Sequence, residues 1–404
     1  MRKLSAYTIY LIHSGGYSLF SAMAYTIIAV YYVEVVGLNP LQLVLIGTVL
    51  EVSIFLLEIP TGVVADVYSR RLSIIIGTAL LGVSCILAGS IPFFVAILLS
   101  QVIAAAGYTF LSGAAQAWIA DETSETIASK AYMRGAQVSQ VCSLIGIGVS
   151  TGLAHIQLNL PTIVGGALFI GLAIFTAFTM SEIGFQPTPQ QERTSWNAMR
   201  NTFREGMRVV RERSVLIAIF SIGIFFGMHT EGLDRLWEAY LLKNFTFPEI
   251  GTLEPVIWFG VISVGANIVQ IVGTEIARRW LDTSSRLAVP RALFLINTLL
   301  VASLVALGLV GSFALVIAIY WSVQLFRSLD RTINTIWINQ HADSKVRATI
   351  FSMMGQADAF GQAVGGPVLG AVGRIVSLRA AMVAAGALLS PVLPIFMRTI
   401  RRYR

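Results

Sequence analysis

The chain has 404 residues, 56% of them hydrophobic and only 12% charged, with a formal net charge of +7. A water-soluble domain carries about 25% charged residues, so this composition excludes a soluble protein of this length and requires much of the surface to face lipid. The basic residues fall in short runs between apolar stretches. That pattern excludes a nucleic-acid surface and marks loops on one side of a membrane.

A helix needs about 20 apolar residues to cross about 30 Å of hydrocarbon. In chain order, runs of that kind lie at 6–33, 41–65, 72–90, 92–119, 131–155, 162–181, 215–241, 254–278, 289–309, 313–336, 347–373 and 378–398. They predict an all-α integral membrane protein of twelve transmembrane helices. The first run follows Arg2 and Lys3 with no small-residue cleavage site, so it is read as a spanning helix and not a removed signal peptide. Gly37-Leu38-Asn39-Pro40, Pro92, Asn159-Leu160-Pro161, Pro248 and Gly311-Ser312 mark breaks between runs. Cys85 and Cys142 both sit inside apolar runs, which argues against a disulfide or a metal site.

Residues 184–213 differ, with Pro187, Pro189, Gln190, Gln191 and six Arg. They divide the chain into an N-terminal six-helix lobe (1–183), a cytoplasmic linker (184–213) and a C-terminal six-helix lobe (214–404). In the linker Trp196, Met199, Phe203, Met207 and Val210 recur at helical spacing opposite Arg200, Arg204, Arg208 and Arg211. That pattern predicts an amphipathic helix on the inner membrane face, with a solvated linker as the alternative. All but four of the 28 basic residues fall on the linker's side of the membrane, Arg327 and Arg331 of span ten included. The other side holds Lys243, Arg374, Arg379 and Arg235. The bias predicts that both termini are cytoplasmic.

Between spans two and three runs Glu58-Ile59-Pro60-Thr61-Gly62-Val63-Val64-Ala65-Asp66-Val67-Tyr68-Ser69-Arg70-Arg71. The spacing Gly62-x-x-x-Asp66-x-x-x-Arg70-Arg71, with an apolar helix on each side, resembles the signature loop of the major facilitator superfamily. The stretch Glu58-x-Pro60-Thr61-Gly62-x-x-Ala65-Asp66 resembles the form found in its drug-exporter-like branch. The resemblance extends to the whole chain in topology: twelve spans split six and six by a long basic loop. It implies the major facilitator fold, two six-helix lobes working by alternating access, a central cavity lined by spans one, four, seven and ten, and no cofactor. It also implies a plasma-membrane location and a working monomer. Some positions depart from the exporter pattern. Span five has Gly146, Gly148 and Gly152 but no proline, and span four has no intramembrane Arg. The run Gly361-Gln362-Ala363-Val364-Gly365-Gly366-Pro367 lies instead in span eleven. A second-half run, Gly273-Thr274-Glu275-Ile276-Ala277-Arg278-Arg279, is at most a degenerate copy of the loop.

The motif's chemistry fits a gate. Gly62 lets one helix approach another, and Asp66 at the end of span two can accept from the amides of a helix start or from an Arg. A bond made in one conformation and broken in the other biases a two-state equilibrium. Asp121 and Arg134 lie near the same membrane face and would complete an ionic latch with Asp66. The alternative is that Arg70 and Arg71 only anchor the topology.

Ionisable residues inside a span are functional candidates by default. Glu51 in span two and Asp358 in span eleven lie near mid-helix and suit a proton-binding role or a cross-lobe hydrogen bond. In span seven Glu231, Asp234, Arg235 and Glu238 share one face beside His229, and Glu231 can pair with Arg235 at i, i+4. Glu231 and Asp234 join the proton-coupling candidates. In span ten Arg327 and Asp330 read as a structural pair. Span one shows His13, Tyr17, Ser21 and Tyr25 at four-residue intervals, and span four adds Gln101, Tyr108, Ser112 and Gln116. With His229, Arg235, Trp237, Trp321 and Gln324 they would line an aromatic and polar pocket, suited to an amphiphilic or cationic-aromatic ligand. A tyrosine stripe also reads as interhelical packing.

There is no nucleotide-binding glycine loop, no nucleophile elbow and no metal-ligand cluster, and the four His are scattered. The chain is therefore not expected to be an enzyme. The leading expectation is a proton-coupled exporter of drug-like or amphiphilic small molecules. A metabolite symporter or facilitator is the alternative within transport, and a polytopic receptor or membrane enzyme is the alternative outside it.

Overall fold

The computed structural model describes residues 4–185, 214–248, 255–280, 287–341 and 347–402. The expected amphipathic helix of the linker lies outside the described residues. Regular structure among the described residues is entirely helical.

The helices in chain order are α1 (Ala6–Tyr25), α2 (Ile28–Glu34), α3 (Pro40–Val63), α4 (Arg70–Ser90), α5 (Phe94–Leu111), α6 (Ala114–Glu122), α7 (Glu125–Ile156) and α8 (Leu160–Thr179). They continue with α9 (Ser214–Asn244), α10 (Pro255–Trp280), α11 (Ala288–Leu309), α12 (Phe313–His341), α13 (Arg347–Ile375), α14 (Leu378–Leu389) and α15 (Val392–Arg402). A π-helical turn over Val64–Tyr68 carries α3 into the motif loop.

Caps written in the sequence set several starts. Ser5, Ser69 and Ser377 accept from the amides of Thr8, Leu72 and Ala380. Asn39 and Gln42 cap α3 reciprocally, at 3.1 and 3.0 Å, with Pro40 at the first helical position. Each cap satisfies a backbone donor that the helix itself leaves open. Three expected spans are each built from two helices. Span one breaks at Thr26–Ile27, span four at Ser112–Gly113 and span twelve at Ser390–Pro391.

Among the described residues, eleven helical stretches are long and apolar enough to cross a membrane. The expected eleventh span, α13, is a continuous helix of 29 residues but is not among them. Its glycines and Gln356, Asp358 and Gln362 dilute its apolar character.

The chain divides into two compact units, the first drawn from Met1–Leu38, Val49–Trp196 and Gly251–Gly260, the second from Asn39–Thr48, Asn197–Ile250 and Val261–Arg404. They follow the two halves of the sequence except for two short exchanges. Asn39–Thr48 belong to the second unit, where Val44 packs against Gly366 and Gly370. In the first unit Gly260 packs on Thr151.

In unit 1, α1 packs on α7 and α8, and α4 packs on α5 and α8. Lipid gives no hydrophobic drive to bring such helices together, so close van der Waals fit has to do so. Gly82 and Gly166 supply it between α4 and α8: a Cβ on either would sit 2.7 Å from the other's carbonyl oxygen. In unit 2, α9 packs along α13, where Gly361 and Gly365 lie against the Ile224 and Met228 carbonyls.

Gly82→Val should therefore force α4 and α8 apart, at about 1–3 kcal/mol for overpacking. Gly171→Val is the control, because a Cβ there meets no atom within 4 Å. A fluorescence-detected melting series in detergent should show a clear drop for the first and little change for the second.

Candidate substrate cavity and charge cluster

Unit 1 holds an open cavity of about 630 Å³ between α1, α5, α6 and α7. Tyr10, His13, Ser14, Tyr17 and Ser18 face it from α1. Tyr108 and Leu111 of α5, Ser112 and Gly113 at the helix break, and Ala115 and Gln116 of α6 form a second wall. Tyr132, Gly135, Ala136 and Ser139 of α7 close the third. None of these lining residues is charged. The volume falls within the range that takes a drug-sized ligand.

The wall is shaped by local backbone chemistry. Gly113 has φ of 70°, a left-handed conformation that only glycine adopts without strain. It turns the chain from α5 into α6 and leaves Ser112 and Gln116 exposed to the cavity. Gly135 seats the Tyr10 ring: a Cβ there would lie 2.8 Å from the ring. Tyr10 and Tyr132 meet edge to face with centroids 6.1 Å apart, and the Tyr132 hydroxyl donates to the Gln116 carbonyl at 2.9 Å. His13 is buried and its Nε2 lies 3.3 Å from the Thr78 hydroxyl.

Five of the eight residues expected on this wall are there: His13, Tyr17, Tyr108, Ser112 and Gln116. Ser21, Tyr25 and Gln101 are not, and Gln101 donates instead to the Ser100 hydroxyl. Tyr25 turns into the core, where its hydroxyl meets Cys85 Sγ at 3.4 Å. Tyr10, Ser14, Ser18, Tyr132 and Ser139 were not expected. The i, i+3, i+4, i+7 series of Tyr132, Gly135, Ala136 and Ser139 is the signal that points to them.

Unit 2 gathers the charges. Arg327 forks onto Asp234 at 2.6 and 2.8 Å, a bidentate ion pair. Arg327 is nearly buried, while the Asp234 side chain remains 41% exposed, so the pair is open on one side. Arg327 was expected as an inner-loop cation paired with Asp330, yet it lies in the middle of α12 and spends its charge on α9. Arg235 pairs with Glu231 at 2.8 Å, and Gly47 of α3 leaves the room, since a Cβ there would overlap the Glu231 carboxylate.

His229 is fully buried against Phe226, and its ring nitrogens have no hydrogen-bond partner among the described residues. Trp237 stacks on Tyr320 at 4.5 Å, and Gln324 donates to the Tyr320 hydroxyl at 2.7 Å. Trp321 packs on Gly265 and donates to the Ile262 carbonyl at 3.0 Å. Asp358 accepts from Gln362 at 2.7 Å. Glu51 is half-buried on α3, in the part that belongs to unit 1.

The motif loop does not form the expected latch. Asp66 is exposed and makes no ion pair among the described residues. A Cβ on Gly62 would meet no atom within 4 Å, so no close helix approach depends on it. Asp121 pairs with Arg70 at 2.9 Å, and Arg134 donates to Gln137 at 3.0 Å. The organising residue is one that the motif does not contain. Glu182, just past α8, accepts from the Arg71 amide at 2.9 Å and from the Ser69 hydroxyl, so it caps the start of α4 with a negative charge. Arg71 in turn donates to the Ala177 carbonyl. Glu122 accepts from the amides of Ile183 and Gly184 and from the Ser181 hydroxyl.

Long apolar helices, an uncharged, ring-lined cavity in unit 1 and ion pairs within the helices of unit 2 are the features of a multi-pass membrane transporter. A family model described as the Major Facilitator Superfamily matches residues 9–366, and the chain belongs to that superfamily. It is 20% identical to the MFS-type transporter YxaM of Bacillus subtilis (strain 168) over 372 residues, 89% of this chain and 87% of that protein. Among solved structures, the nucleoside transporter NupG superposes with a TM-score of 0.76 at 16% identity, over 99% of this chain and 100% of that one. A bacterial homolog of the human lysosomal transporter Spinster, inward-facing and unoccupied, gives 0.75 at 14%, over 98% and 96%. A POT family transporter in complex with 5-aminolevulinic acid gives 0.70 at 16%, over 98% and 95%. At these identities the structures show the shared fold.

The capping role of Glu182 separates from the motif in a stability measurement. Glu182→Ala should cost about 1 kcal/mol, the usual worth of a lost cap, and lower the melting temperature in detergent. Asp66→Ala, which removes no contact, should melt with the wild type.

Proposed function

We propose that the chain is a proton-coupled exporter of amphiphilic, drug-like small molecules that works by alternating access. It is placed in the plasma membrane as a monomer with both termini in the cytoplasm. The observation that carries the reading is the uncharged cavity of unit 1, where four tyrosine rings supply flat apolar faces. Such a wall binds ring-bearing molecules by stacking, and a ring face also attracts a cation. Proton coupling is supported by the carboxylates within the helices, Glu51, Glu231, Asp234 and Asp358, because an ionisable group is costly there unless it works. The open side of Asp234 leaves its pairing with Arg327 able to be exchanged for a proton. Arg70 and Asp121, 2.9 Å apart, are the pair on which a gate at the motif loop would act, with Asp66 and Arg134 free to join in another conformation.

One observation favours a second reading, uptake or exchange of a hydroxylated metabolite. The hydroxyls of Ser14, Ser18, Ser112 and Ser139 and the Gln116 amide face the same cavity, and such groups hold a polar ligand by hydrogen bonds. The solved relatives include a nucleoside transporter.

Uptake into inside-out vesicles energised by a pH gradient separates the two. Export predicts gradient-dependent accumulation of cationic dyes or antibiotics, lost when the gradient is collapsed. Asp66→Asn should slow it, and Gly135→Leu, which drives Tyr10 into the cavity, should reduce it by about tenfold or more, a loss of some 1.4 kcal/mol. No accumulation across the panel, together with uptake of nucleosides in right-side-out vesicles, would replace the exporter with a metabolite carrier.

A further inference from the structure

Asp330 of α12 is 2% exposed and Asn297 of α11 is fully buried. Asp330 Oδ1 accepts from Asn297 Nδ2 at 2.6 Å, and the same nitrogen donates to the Leu293 carbonyl at 2.9 Å. The carbonyl fixes the orientation of the amide, since its oxygen could not face another acceptor. Both amide hydrogens are then used, and Asn297 Oδ1 is left buried with no donor. An orphaned buried acceptor is costly, and so is an ionised carboxylate whose one partner is neutral. A single proton removes both costs: on the Asp330 carboxyl it is a donor, and the acceptor beside it is the one left over.

We propose that Asp330 and Asn297 form a proton-binding site, a carboxylic acid–amide pair closed by two hydrogen bonds. The role assigned to it, carrying the coupling proton, rests on the proton-coupled reading above. Among the other described carboxylates of unit 2, Glu238 is buried too, with Oε2 unpartnered, while two are held by arginines. Asp234 is taken by Arg327 and Glu231 by Arg235. Asp358 and Tyr320 gather around Arg327 and not around Asp330. The charge near Asp330 is Arg331, its exposed neighbour on α12. From α11 it meets the Asn297 amide. From α15 the nearest packing is Phe396 against Trp337, about two turns further along α12, and the Arg398, Arg401 and Arg402 side chains are exposed.

Infrared spectroscopy of the purified full-length protein tests the site directly, because a protonated carboxyl absorbs apart from a carboxylate. The wild type at neutral pH should show a protonated-carboxyl band that Asp330→Asn removes. Asn297→Leu, which keeps the acid and takes away its partner, should shift that band. A band unchanged in both variants overturns the proposal. Should Asp330→Asn fail to fold, the Asn297→Leu shift decides alone. Gradient-driven transport and substrate exchange in vesicles test the role. Asp330→Asn should lose the first and keep the second. Full gradient-driven transport in that variant overturns the coupling role. A wild type that never responds to the gradient overturns the exporter reading while leaving the infrared result to decide the site.

Discussion

Hydrocarbon offers no hydrogen bonds, and this constraint governs the backbone and the polar side chains alike. A chain crossing lipid must satisfy every amide within its own segment, which restricts it here to helices. The places where helices break show how the rule is met. At Thr26 the side chain and the amide both bond the Ala22 carbonyl. At Ser390 the amide reaches back to Gly386 and Ala387. The break at Ser112–Gly113 is different, because it opens onto the cavity. Non-helical backbone at membrane depth is tolerated where it borders such a space, so the turn that shapes the wall is also allowed only by the cavity that it shapes.

The same constraint sorts the acidic residues by partner. Asp234 and Glu231 take arginines, and Asp121 takes Arg70. Glu182 and Glu122 take backbone amides, and Asp358 and Asp330 take side-chain amides. The order runs from full charge compensation to none. It separates carboxylates whose charge a partner offsets in this conformation from those that only a proton would satisfy. At the motif end of unit 1 the offset kind prevails. Glu182 ties the first turn of α4 to the end of α8, and this holds the arginine pair in place without Asp66.

Helix positions were legible because apolar length is a property of one segment. The expected spans at 289–309 and 347–373 became Ala288–Leu309 and Arg347–Ile375. The cavity was half legible. His13 and Tyr17 lie on the wall, but a strict four-residue stripe advances by about 40° at each step. By Tyr25 it has rotated by about 120° and points into the core, whereas the alternation 10, 13–14, 17–18 stays on one face. Pairings between distant segments were not legible. Asp234 and Arg327 are 93 positions apart, and Arg71 and Glu182 are 111 apart. Periodicity within a helix finds a face but not the face opposite, so Arg327 was matched to its neighbour Asp330 and counted with the loops. Gly62 and Asp66 make none of the expected contacts in this conformation, since a loop motif names residues and not their contacts.

The separation of chemistry between the units limits how coupling can work. The unit 1 cavity wall has no carboxylate, so a proton and a ligand bound there cannot compete for one. Under the proposed function, coupling must then be a free energy exchanged through a conformational equilibrium, in which each ligand favours one state over the other. Ion pairs and acid–amide pairs inside helices suit that task. Each has two discrete arrangements, and the low polarity around it makes the difference between them large. A ring-lined cavity suits the complementary task, because stacking depends little on the identity of the ring. Breadth of substrate and stringency of coupling can then reside in different residues of one chain.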